Sequence, residues 1–184
     1  MIHDHPVMHV VPEANGAFAL ELELERDRGR DAAIRVEPAG AGGFSVAGPR
    51  VEGAWRMVRD DGPNGGFVLL GADRADELGR SVGTGRLGDR REMRYVLLRD
   101  GTLFRVVPAG AGEGGFDVSG YETEGPYLTA RREAAGFCIA PTPACGGLED
   151  VRVLSVLLAA EILAAAERCA AHRTVRPMGD SEPA

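Results

Sequence analysis

The sequence predicts a mostly β domain: a closed barrel of about 11–12 strands from two related halves, with a C-terminal apolar helix through the centre. Three observations carry that prediction. Short runs punctuated by Gly, Pro and Asp fill the chain up to Pro141. A segment that begins at Arg35 recurs at Arg105. The last long segment is apolar around nearly its whole circumference.

Composition sets the outer limits. A chain of 184 residues suits one domain with a sizeable core. Hydrophobic residues at 44% and charged residues at 27% exclude a generally disordered chain. The net charge is −7 and every Lys/Arg-type cation is Arg. That acidic balance argues against nucleic-acid binding, which needs a positive field over a broad surface. A local Arg cluster remains able to bind one anion. Cys138, Cys145 and Cys169 make no Cys-x-x-Cys pair, which fits inert thiols in a reducing compartment. The start, Met1-Ile2-His3-Asp4-His5-Pro6, lacks the basic and apolar regions of a signal peptide. The longest nearly apolar run, Val153 to Ala166, is shorter than the roughly 20 residues of a membrane-spanning helix. A cytoplasmic protein is expected.

Residues 1–15 carry two prolines and little periodicity, so a flexible N-terminal arm is expected there. Phe18-Ala19-Leu20-Glu21-Leu22-Glu23-Leu24-Glu25 alternates without error. Period two marks a half-buried strand, whereas a helix would wrap the leucines around its cylinder. Further strands are expected near 32–37, 43–47, 53–59, 66–71, 78–83, 92–99, 102–108, 115–119, 126–131 and 135–140. Asp60 to Gly65 and Arg99-Asp100-Gly101-Thr102 supply turn residues between them. Regular short strands with frequent turns argue for a barrel or sandwich.

The repeat aligns Arg35-Val36-Glu37-Pro38-Ala39-Gly40-Ala41-Gly42 with Arg105-Val106-Val107-Pro108-Ala109-Gly110-Ala111-Gly112. Gly43-Phe44-Ser45-Val46 then matches Gly115-Phe116-Asp117-Val118. Weaker matches follow: Trp55 with Tyr127, Arg59 with Arg131, and Gly66-Phe67 with Gly136-Phe137. Two related five-strand meanders are expected, with Phe44 over Phe116 and Trp55 over Tyr127.

The helix is expected over about 150–172. Glu149 and Asp150 suit its first turn, and Arg168, His172 and Arg173 its last, with Pro177 beyond. Asp150, Glu161, Arg168 and His172 share one narrow stripe, and nearly everything else is apolar. A helix apolar on most sides must be surrounded. Threading it through a closed barrel does this, and Ala159, Ala160, Ala164, Ala165 and Ala166 keep it thin enough. Leu157, Leu158 and Ile162 should then all be buried. Residues 173–184 read as a disordered tail.

Gly125-Pro126-Tyr127-Leu128, Gly136-Phe137-Cys138-Ile139-Ala140, and Asp150 followed by Val153 to Ala160 resemble the tubby-like superfamily. The likeness is greatest to its LURP-one-related or phospholipid scramblase-like branch and covers roughly residues 16–172. The resemblance implies a twelve-stranded barrel around a helix and, in some members, binding of phosphoinositides or membrane surfaces. It implies a non-catalytic lipid-binding domain, or one that takes another anionic ligand. The alternative is a structural or protein–protein interaction module with a protein partner.

The candidate chemistry is sparse. Arg86, Arg90, Arg91 and Arg94 form the densest cationic stretch and are the anion- or lipid-binding candidates, since Arg suits bidentate phosphate contacts. Gly83-Thr84-Gly85-Arg86-Leu87-Gly88 has dinucleotide-loop spacing, but a strand-like segment follows where a helix would be needed. It reads as a plain glycine-rich loop, and no cofactor is expected. His3, His5 and His9 could ligate a metal, but they fall on the expected arm without a fourth ligand, so no metal site is assigned. No nucleophile–base arrangement assembles, so catalysis is not expected. Glu161, mid-helix in a barrel, is costly unless it is paired or reaches the mouth.

Overall fold

In the computed structural model, the described residues are 6–23, 30–40, 42–60, 62, 65–73, 76–83, 94–109, 115–120, 125–145 and 148–174. Twelve strands close into one antiparallel barrel. They are β1 Met8–Pro12, β2 Phe18–Glu23, β3 Arg30–Ala39, β4 Gly43–Ala47, β5 Trp55–Arg59, β6 Gly65–Leu70, β7 Glu77–Gly83, β8 Arg94–Leu98, β9 Leu103–Pro108, β10 Phe116–Gly120, β11 Leu128–Glu133 and β12 Gly136–Pro141. Each strand pairs with its sequence neighbour, and β1 pairs with β12 to complete the ring. The helix α1, Leu148–Thr174, follows.

All eleven expected strands are present to within a few residues. Alternation explains why. The inward residues, among them Leu20, Ile34, Val36, Val46, Met57, Leu69, Val96, Val106, Val118, Leu128 and Ile139, are buried. Outward positions carry Glu21, Arg35, Glu37, Arg56, Arg80, Arg105, Asp117 and Arg131, each offset by one residue from the buried set. The inner side is apolar, whereas the outer side mixes these charges with Val58, Val68, Tyr95, Leu97 and Leu103. Among the described residues, no helix is long and apolar enough to cross a membrane.

The twelfth strand corrects the expected arm. Met8–Pro12 is a barrel strand, with Met8 opposite Leu22 on one side and Ile139 on the other. The barrel therefore includes Met8–Pro12 and does not start at residue 16. The far end is corrected too, since the helix is continuous to Thr174.

Every helix residue from Val153 to Ile162 is buried, although these positions point in all directions. Leu157 and Leu158 are 0% exposed and Ile162 2%, so the helix forms the barrel core. At the Arg99–Thr102 turn, the Asp100 carboxylate accepts the Thr102 amide hydrogen at 2.8 Å while Gly101 takes φ 89°. That hydrogen bond lowers the Asp100 pKa. A depressed carboxyl pKa adds stability above the unfolded value and loses it as pH falls through the folded one. Asp100→Asn should therefore lower the neutral end of a stability–pH profile measured by urea unfolding and leave the acid end nearly unchanged, so that the profile becomes flatter.

The ladders settle the internal symmetry. Phe44 faces Pro38, and Phe116 faces Pro108; Val46 faces Val36, and Val118 faces Val106. The next strand slips by one residue from the sequence alignment. Trp55 lies opposite Val46, whereas the residue opposite Val118 is Leu128. Trp55 thus corresponds to Leu128, not to Tyr127, and Arg59, opposite Phe67, corresponds to Arg132, opposite Phe137. A one-residue slip exchanges the two faces of a strand, so burial decides the register. The repeating unit is six strands rather than five: β1–β6 and β7–β12.

Candidate functional site

The two halves fill the barrel unequally. The inward positions of β1 are Met8, Val10 and Pro12, and their counterparts in β7 are Gly79, Ser81 and Gly83. Small residues on β7 let the helix come close. A Cβ on Gly79 would lie 3.2 Å from Val153 Cγ1 and 3.3 Å from Leu157 Cδ1. Accordingly α1 leans on β6, β7 and β8. At the mouth where its C-terminal half emerges, a cavity of about 600 Å³ opens between the helix and the wall from β2 to β6.

Phe18, Phe44, Met57 and Phe67 line its barrel side, and Ala160, Leu163 and Ala164 its helix side. Phe44 and Phe67 meet edge to face, with centroids 6.5 Å apart. The alanines matter here, because larger side chains at these helix positions would occupy the space. At the rim, the exposed Arg59 guanidinium sits 5.4 Å from the centroid of the Phe67 ring. Among the described residues, no carboxylate lies within ion-pair distance of it. Glu167 is the other charged lining residue. The volume falls in the ordinary range of small-ligand sites, which are mostly apolar with a few orienting polar groups.

Where the helix touches the wall, a polar cluster is sealed in. Glu161 is 2% exposed and Arg94 4%. Glu161 Oε2 lies 3.2 Å from Arg94 Nη2. The Ser81 hydroxyl donates to Glu161 Oε1 at 2.6 Å and accepts the Phe67 amide hydrogen at 2.7 Å. Arg94 also donates to the Gly65 carbonyl at 3.1 Å. Gly66 makes room for this: a Cβ there would meet the Ser81 hydroxyl and the Glu161 carboxylate. In the first half of the barrel the counterparts of Ser81 and Arg94 are Val10 and Phe18, so the polar cluster belongs to one half only.

A second cluster lies on the outer wall. His9 alternates with the inward Met8 and Val10, yet it is only 4% exposed. Its Nδ1 is 2.9 Å from Glu133 Oε2 and its Nε2 3.4 Å from Glu23 Oε2. Cys138 is its cross-strand partner. His9, Glu133 and Cys138 are the described side chains grouped closely enough to ligate a metal.

The sequence candidates separate accordingly. Arg94 does not belong to an exposed anion patch. It begins β8 facing inward, because Val96 and Leu98 fix the strand's inner face at every second residue, and its charge is engaged by Glu161. Arg86, Arg90 and Arg91 lie outside the described residues, as do His3, His5 and residues 84–88 of the glycine-rich loop. Glu161 meets an Arg from a strand, one of the two alternatives its position allowed. His9 is a strand residue rather than part of an arm. Arg59, Ser81 and Glu133 carry no assignment in the sequence, and Cys138 reads there only as an inert thiol, because only strand register brings them to their neighbours. No family model, curated protein or solved structure matches this chain.

Proposed function

We propose that the barrel is a non-catalytic binding module that takes an amphipathic anion into its mouth cavity. The carrying observation is a mostly apolar cavity of about 600 Å³ in whose lining, among the described residues, the charged groups are the Arg59 guanidinium and the Glu167 carboxylate. The apolar part of the ligand would lie against Phe18, Phe44, Met57 and Leu163, and its phosphate or carboxylate would meet Arg59. Burying acyl methylenes supplies affinity at roughly 0.8 kcal/mol each. A charge-assisted contact to Arg59 orients the chain. This reading agrees with the lipid binding implied by the tubby-like resemblance, but moves the anion contact from the 86–94 loop to Arg59. The net −7 does not oppose it, since charges beyond about 8 Å are screened at physiological salt. We place the protein in the cytoplasm on the same reading.

Trp55, two residues from the cavity-lining Met57, is the sole tryptophan and gives a direct signal. Titration with dodecyl phosphate below its micellar concentration should change Trp55 emission saturably. Arg59→Ala should weaken that binding by about tenfold, the loss of one charge-assisted hydrogen bond. Flotation with phosphatidylcholine vesicles, with and without phosphatidylinositol phosphate, separates a bilayer headgroup from a monomeric ligand. A flat titration together with no flotation would remove the reading and leave a protein-interaction module as the better account.

A further inference from the structure

We propose that His9, Glu133 and Cys138 form a site for a zinc-type divalent transition ion on the outer wall, at the seam where β1 closes on β12. One nitrogen, one sulfur and one carboxylate oxygen come from three strands, β1, β12 and β11. Their ligand atoms all lie within 4.8 Å of one another. Tetrahedral zinc, bound at about 2.0–2.3 Å, places its ligands roughly 3.3–3.8 Å apart, so small side-chain rotations close the site. The mixed N, S and O donor set is of the type zinc accepts.

The surroundings of His9 strengthen the case. A metal-ligating imidazole commonly donates its other ring N–H to a carboxylate, which fixes the tautomer. Glu23 Oε2 stands in that place, 3.4 Å from Nε2, leaving Nδ1 to face Glu133 and the metal. Backbone pairing sets the ring beside the thiol, since His9 and Cys138 are register partners. The cation nearest along the strand is held aside: Arg131, the other partner of Cys138, donates to Asp117 Oδ1 at 2.9 Å. On binding, the Cys138 thiol gives its proton to solvent and its sulfur bonds the ion. The imidazole and carboxylate replace two more aquo ligands, and water keeps the fourth position. No oxidation state changes. The site is remote in role from the mouth cavity and stands independently of lipid binding.

The test uses the full chain stripped with a chelator. Co²⁺ should produce a near-ultraviolet thiolate-to-metal charge-transfer band that saturates at one equivalent and is displaced by Zn²⁺. Cys138→Ser should abolish the band, while Cys145→Ser and His3→Ala/His5→Ala retain it. Glu23→Gln should keep the band and weaken affinity by about 10-fold to 100-fold, as loss of an outer carboxylate does. Absence of the band in the parent, or its survival in Cys138→Ser, overturns the proposal. If Cys138→Ser does not fold, alkylation of Cys138 in the parent decides: Zn²⁺ should slow it at least about tenfold, and an unchanged rate overturns the site.

Discussion

Arg94→Met should destabilise the barrel by about 3–5 kcal/mol, because it strands the Glu161 carboxylate in a site that is 2% exposed. Glu161→Leu alone should cost a similar amount by stranding Arg94. The double variant should recover most of the loss and be less stable than the parent by no more than about 1 kcal/mol, since apolar replacement of a buried pair is often neutral or stabilising. Ser81 does not prevent this: its hydroxyl keeps the Phe67 amide as donor and has the Phe67 carbonyl at 3.5 Å as a fallback acceptor. The first half of the barrel shows that apolar residues suit these wall positions, with Val10 and Phe18 at the counterparts of Ser81 and Arg94. Urea unfolding of the four proteins gives the coupling energy directly. Single variants that each cost less than about 1 kcal/mol would mean the pair is hydrated at the mouth rather than sealed.

Gly136→Ala should open the seam between β1 and β12 and cost about 3 kcal/mol, the upper end of ordinary overpacking. A Cβ at this position would meet the Val10 carbonyl oxygen and lie 3.1 Å from the Pro12 ring. The obstacle is backbone, so no rotamer change relieves it and the two strands must part. Gly40→Ala is the matched control, because nothing lies within 4 Å of its Cβ position. Thermal melts of the two variants should differ by several degrees. Equal melting points would show that the seam is not the tight contact described. A Cβ on Gly66, the counterpart of Gly136 in the other half, would likewise lie only 2.6 Å from the Ser81 carbonyl oxygen. The Gly-Phe pairs of the repeat therefore recur for a physical reason: each half needs a strand start without a side chain against its neighbour.

Much of the fold was legible in the sequence because inward and outward positions alternate so cleanly. Leu20 and Leu22 against Glu21 and Glu23, or Ile34 and Val36 against Arg35 and Glu37, announce strands, and the apolar circumference of Val153–Ala166 announces a surrounded helix. Strand β1 was hidden by its length and its ends. Five residues between Pro6 and a terminal Pro12, with Val11 on the outer side and His9 interrupting, lack a distinct period. The candidate sites were harder to read, since they are made by register. Arg94 looked like a neighbour of Arg90 and Arg91, but strand pairing with Gly83 and Val106 turns it inward. His9 and Cys138 are 129 positions apart (138 − 9), yet they are paired residues. The mouth cavity gathers residues from β2, β3, β4, β5, β6 and the helix, a grouping that only strand pairing makes.

The order of elements along the chain has a consequence for synthesis. The strands come first and the segment that fills them comes last. While the strands emerge from the ribosome, their apolar inner faces have nothing to bury against, and β1 waits for β12 before the ring can close. Such long-range pairing is slow and leaves strand edges exposed meanwhile. The helix, made last, carries the side chains that fill the cylinder, so no packed core is available to the strands until residues 151–165 have been made.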